Sequence, residues 1–107
     1  MSNKGRVFYW DLLAGILSET DEGYEFIYDD KYLKNDKARA ISLTLPLQQE
    51  VYINKVLFSF FDGLIPEGWL LQIATDYWKV KPNDRFELLL LTCRDTIGAV
   101  TIVPEIE

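Results

Sequence analysis

The fold class this sequence predicts is α+β: a small antiparallel β-sheet, read as a meander, with two α-helices packed on it. Three observations carry the prediction. Residues 6 to 53 hold short segments rich in β-branched and aromatic residues, separated by turn signals. From Pro66 the apolar period changes from that of a strand to that of a helix. After a second helical stretch, Gly98 opens a closing strand, "AVTIV". Strands that precede helices, without βαβ alternation, make an α+β domain.

The elements follow in chain order. "RVFYW" (6–10), "LAGILSE" (13–19), "YEFIYD" (24–29) and "RAISLTLPL" (39–47) read as strands. Asp21-Glu22-Gly23, Asp29-Asp30 and the polar stretch from Lys34 to Lys37 read as the turns between them. Tyr24, Phe26 and Tyr28 alternate with Glu25 and Ile27, the period-two pattern of a half-buried strand. "FSFFDGLIP" (58–66) reads as an extended segment ending in a turn at Asp62-Gly63, and proline and glycine should bring Leu64 to Gly68 to the surface.

A helix is expected over 66–78, with Leu70, Ile73, Ala74 and Tyr77 on one face. Pro66 suits its first turn, where the missing N–H would have no partner anyway, and Glu67 lies at the positive end of the dipole. A second helix is expected over 84–93, capped by Asn83 or Asp84, with Asp84 and Glu87 at capping-box spacing. Phe86, Leu88, Leu89, Leu90, Leu91 and Cys93 leave it almost no polar face, so it should be central.

The totals bound the function. A chain of 107 residues, 49% hydrophobic, makes one domain over 1–107 with a real core. Net charge is −6, which argues against sequence-independent binding to nucleic acid, since that needs a basic face. The lone Cys93 can form no internal disulfide and fits a reducing cytosol. The chain has no histidine, which removes nucleophile–histidine hydrolysis and histidine-ligated zinc. There is no glycine-rich phosphate loop, and no carboxylate spacing marks a catalytic pair. No cofactor and no metal are expected. Lys4 and Arg6 before "VFYWDLLAGIL" only superficially match a signal peptide, because Asp11 interrupts the apolar run. No run approaches the length that spans a bilayer. A cytoplasmic protein without a membrane partner is the expectation.

The candidate site is a partner-binding one, around "FFDGLIPEGW" (60–69): Phe61, Asp62, Ile65, Pro66, Glu67, Gly68 and Trp69. Trp69 sits roughly 90° from the centre of the Leu70/Ile73/Tyr77 stripe at 100° per residue, at the border of core and surface. It has two readings, a partly buried lid on the core or a rigid apolar anchor for a partner. Trp10 and Trp78 lie in periodic patterns and read as core.

Four ordered motifs now carry a resemblance: "AISLTLPL" (40–47), "FFDGLIPEG" (60–68), "NDRFELL" (83–89) and "DTIGAV" (95–100). Together they resemble the N-terminal subdomain of HipA-type kinases, the serine/threonine-kinase-like toxins of bacterial persistence modules. "GILSETDEGYEFIYDDKYL" (15–33) is similar to that family's early hairpin, so the resemblance spans about residues 7 to 103. The kinase core that follows this subdomain in HipA is not among the 107 residues, so the resemblance implies no catalytic activity. As a free-standing copy the chain resembles the HipS antitoxins of three-gene HipBST systems. That implies a HipT-like kinase toxin as partner and a ternary complex with a HipB-like helix-turn-helix protein. The leading expectation is a non-enzymatic antitoxin. A non-inhibitory scaffold bridging kinase to HipB and a stimulating accessory subunit are the alternatives, and a stand-alone enzyme comes last.

Overall fold

The computed structural model describes residues 3–65, 85–92 and 99–105. Five strands form one antiparallel sheet: β1 (Lys4–Tyr9), β2 (Leu12–Thr20), β3 (Gly23–Tyr28), β4 (Tyr52–Asn54) and β5 (Val100–Pro104). Their order is β4-β3-β2-β1-β5. The first four follow one another across the sheet as in a meander. β5 instead returns to the free side of β1, with Gly5 opposite Pro104 and Tyr9 opposite Val100.

β2 and β3 pair through Thr20 and Gly23, so Asp21 and Glu22 form a two-residue hairpin loop where turn chemistry was expected. Gly23 has φ +142, and a Cβ there would lie 2.3 Å from the Asn54 carbonyl oxygen, so glycine is required both by conformation and by the approach of β4. The alternation in β3 holds. Phe26 and Tyr28 are buried and face the core with Val7, Leu17 and Ile102, while Ile27 is exposed on the other face.

Trp10 departs from the expected core position. It and Asp11 form the loop between Tyr9 and Leu12, and Trp10 is 66% exposed at φ +54. Its N–H donates to Ala99 O at 2.7 Å, which ties this loop to the approach to β5. The apolar period of the strand ran one residue past the strand's end.

Three helical segments lie among the described residues: α1 (Asp30–Leu33), α2 (Ser59–Asp62) and α3 (Arg85–Thr92). Asp29 and Asp30, expected as a turn, start α1 instead. The Asp29 carboxylate accepts the Tyr32 N–H at 3.2 Å as the cap of a single helical turn. α3 lies inside the expected 84–93 helix, and Phe86, Leu88, Leu89 and Leu90 are all buried. It packs over β1, where Leu90 comes so close that a Cβ on Gly5 would lie 2.7 Å from Leu90 Cδ2. The helix expected over 66–78, Trp78, the capping residues Asn83 and Asp84, and Cys93 lie outside the described residues.

Two segments read as extended are not. "RAISLTLPL" forms no strand and has one isolated bridge, Ser42 to Leu45. Ile41 and Leu45 both turn inward, four residues apart, around a tight turn closed by Leu45 N–H to Ser42 O at 3.1 Å. The alternation that β-propensity suggested is therefore absent. "FSFFDGLIP" contains α2 rather than a strand, because Phe58, Phe61 and Ile65, spaced three and four apart, are the residues that reach the core. A ring pair binds this segment to the sheet, Phe61 lying 5.5 Å from Phe26 and tilted, and another, Phe58 edge-on to Phe61 at 6.2 Å, braces it internally, each contributing about 0.5–1.5 kcal/mol beyond its area.

Candidate partner-binding surface

α2 carries the described part of the expected site, Phe61 and Asp62, and leads to Ile65. Asp62 N–H bonds Phe58 O at 2.9 Å and Gly63 N–H bonds Ser59 O at 2.9 Å. Tighter three-residue turns then carry the chain on, with Leu64 N–H to Phe61 O at 3.0 Å and Ile65 N–H to Asp62 O at 3.2 Å. This winding sends Phe61 and Ile65 inward, at 0% and 2% exposure, and Asp62 outward. Of the sequence-predicted residues, then, Asp62 presents its side chain to solvent, while Phe61 and Ile65 support the surface from beneath. The expectation that Ile65 comes to the surface is corrected by its burial. Pro66, Glu67, Gly68 and Trp69 lie outside the described residues.

Asp62 accepts the Arg85 Nε–H at 2.7 Å, an ion pair that ties α2 to the start of α3. Both side chains are partly exposed, so the pair fixes geometry more than it stabilises. Beside it lies an open groove of about 510 Å³ lined by Tyr24, Lys55, Val56, Ser59, Asp62 and Arg85. It combines two cations, one carboxylate, the hydroxyls of Tyr24 and Ser59, and the exposed Val56. Ser59 in it has no histidine to take its proton. Such a lining suits a polar or acidic protein segment. A second groove of about 340 Å³, at the other end of the sheet, is lined by Leu12, Leu13, Asp29, Lys31, Tyr32 and Asn35. Among the described residues no cluster of carboxylates or thiols could hold a metal ion, and no helix is long and apolar enough to cross a membrane.

Sequence reasoning missed how the segment between α1 and β4 is held, by tyrosine hydroxyls bonded to its backbone. The buried Tyr28 hydroxyl accepts the Ile41 N–H at 3.1 Å and donates to Leu45 O. Burial pushes this phenol up to about 12, a shift that the Ile41 hydrogen bond opposes. The Tyr32 hydroxyl accepts the Arg39 N–H at 3.0 Å and donates to Arg39 O at 2.6 Å, and the Tyr52 hydroxyl donates to Pro46 O at 2.5 Å. Between these clamps Leu43 is fully exposed. The only local signal was "SLT", a hydroxyl on each side of the leucine, which here closes the turn.

Residues 5–103 match the family model of the HipA N-terminal domain. The chain belongs to the HipA N-terminal domain family. It is 32% identical over 101 residues to an uncharacterized protein of Haemophilus influenzae, covering 94% of this chain and 92% of that one. It is also similar to two putative kinases of Sinorhizobium fredii, Y4dM at 35% identity over 85 residues and Y4mE at 27% over 99. The match covers 74% and 91% of this chain but only 21% and 24% of the two kinases. Among solved structures, the N-terminal domain of HipA toxin is similar with a TM-score of 0.73 at 25% identity, covering 100% of this chain and 96% of that one. The family's fold thus accounts for the five-stranded sheet and its short helices.

Proposed function

We propose that this HipA N-terminal domain is a HipS-like antitoxin: it binds a HipT-like serine/threonine kinase toxin and neutralises it by obstructing its active site or its activation. The observation that carries the reading is the pairing of two likenesses. The fold is similar to that of the N-terminal domain of HipA toxin, and the Haemophilus relative consists almost wholly of the region matched. A domain that in some relatives is a fifth to a quarter of a putative kinase has a natural partner in the remainder of such a kinase. The domain itself performs no catalysis. It acts in the cytoplasm, in a ternary complex that includes a HipB-like DNA-binding protein.

The surface proposed for kinase contact runs from Asp62 through Pro66, Glu67 and Gly68 to Trp69, with Phe61 and Ile65 as its foundation. Trp69 serves as the anchor, since tryptophan combines large apolar area with few rotatable bonds. The test is phosphorylation by a HipT-like kinase, of itself and of its target, with and without the purified domain. Inhibition supports the antitoxin reading. Unchanged rates would make the domain a scaffold and stimulation an accessory subunit, and either would end it.

A further inference from the structure

We propose that Leu43, at the tip of the Ser42–Leu45 turn, is a second docking point, a rigid apolar knob that enters an apolar pocket on the catalytic portion of the partner kinase. The proposal rests on the kinase-binding reading above and adds a surface to it. Leu43 is 100% exposed, whereas Ile41 and Leu45 on either side are 6% and 3% exposed. A leucine at the tip of a loop is ordinary when the loop is loose. This one is held from inside and outside. The Leu45 N–H bonds Ser42 O at 3.1 Å, the Thr44 N–H bonds Ser42 Oγ at 3.2 Å, and the two hydroxyls of Ser42 and Thr44 meet at 2.9 Å. The Tyr28 hydroxyl grips both flanks, taking the Ile41 N–H and giving its proton to Leu45 O. Tyr32 and Tyr52 fix the chain further out, at Arg39 and Pro46.

Three tyrosine hydroxyls therefore order one turn, and the side chain that this order displays is the one with no contact of its own to the core. Display of a pre-ordered apolar group is what lowers the entropic cost of association. The burial of Ile41 and Leu45 also means that Leu43 is not needed to complete the core, so its place on the surface has no folding role.

The occupant is a kinase rather than a second copy of this chain. An apolar knob needs an apolar socket. The two grooves described on this domain set charge beside their apolar lining, Lys55, Asp62 and Arg85 in one and Asp29 and Lys31 in the other, so neither is a wholly apolar socket. In the Sinorhizobium kinases, by contrast, the matched domain adjoins more than three-quarters of a further chain, and the match to Y4mE covers 91% of this chain. In those relatives a domain of this family shares its chain with a kinase body, and that body is the partner proposed for Leu43.

The experiment compares the full chain with Leu43→Asp and Leu43→Ala, first alone and then with a catalytically inactive HipT-like kinase. Because Leu43 is fully exposed, both variants should melt as the parent does. Titration calorimetry should show affinity for the kinase reduced by about thirtyfold or more in Leu43→Asp, the hot-spot range, and by less in Leu43→Ala. If Leu43→Asp lowers the melting temperature, Leu43→Ala alone decides. A parent that does not bind the kinase at all defeats the kinase-binding reading, and this proposal with it. A parent that binds while both variants bind equally well overturns the docking point and leaves that reading standing. A parent that is dimeric, with monomeric variants of unchanged kinase affinity, assigns Leu43 to self-association and overturns the proposal as well.

Discussion

Replacing Tyr28 with phenylalanine removes one oxygen and leaves the ring, so it isolates what a single hydroxyl does in this fold. The ring stays stacked 6.1 Å from Tyr32 and edge-on 4.9 Å from Phe26. Two backbone groups lose their partner, the Ile41 N–H and the Leu45 carbonyl, both on residues that are at most 6% exposed. Stranding buried polar groups costs about 1–3 kcal/mol. At about 2.1 cal/mol/K per residue, unfolding 107 residues carries an entropy near 0.22 kcal/mol/K, so the melting temperature should fall by about 4–13 °C. Alkaline pH gives an independent check. The native phenol holds its proton to about 12, whereas in the unfolded chain it titrates at the ordinary 10.0. Between those values the unfolded state binds fewer protons, so stability is whole below pH 10 and falls as pH rises toward 12, by up to roughly 1.4 kcal/mol per unit for this one group. Tyr28→Phe should lose that part of the slope. Thermal melts at pH 7 and urea titrations from pH 9 to 12 measure both effects. A variant that melts within 1–2 °C of the parent (roughly the shift of half a kcal/mol), with the same alkaline slope, would refute the idea that this hydroxyl holds the turn.

Gly15→Ala should be among the most damaging small substitutions. Its Cβ would lie 2.3 Å from the Ile27 carbonyl oxygen and 2.9 Å from the Phe26 ring, and backbone cannot step aside, so a loss of about 3 kcal/mol or more is expected from urea unfolding. Asp62→Ala and Arg85→Ala, combined in a double-mutant cycle, should give a coupling under about 1 kcal/mol that shrinks with added salt, as a partly exposed pair requires. Trp69→Ala, outside the described residues, should weaken kinase binding by about 2 kcal/mol or more while the isolated domain melts normally. Normal melting together with full protection of cells against the toxin would end its role as anchor.

What could be read from the sequence divides along a physical line. β3, β5 and α3 were legible because each is decided by its own side-chain period: Phe26 and Tyr28 against Ile27, Val100 and Ile102 in "AVTIV", and the leucines of α3. The segments that misled are those decided by distant partners. Ile41 and Leu45 are β-formers, but the group that sets their backbone is a hydroxyl from residue 28. "FSFF" has the composition of a strand, yet Phe58, Phe61 and Ile65 make that stretch helical by burial against Phe26 and its neighbours, and the turn read at Asp62-Gly63 follows it. At the candidate site Asp62 was legible as a surface carboxylate. Its ion pair was not, because Arg85 is 23 residues away and nothing local links the two. Trp10 failed for the opposite reason, since the strand pattern continued into a loop whose conformation the pairing of Tyr9 with Leu12 imposes.

The position of β5 has a consequence for how the protein is made. Gly5 pairs with Pro104, so the first strand of this domain waits for its fifth before its second side is covered. At about 5–20 residues per second, the 98 residues between them take roughly 5–20 s to synthesise. Throughout that interval β1, including the hydrophobic Val7 that ends in the core, is an open edge able to pair with any strand nearby. A nascent chain paused before residue 100 would therefore be prone to capture by chaperones or by other unfinished chains, and the domain becomes whole in one late step.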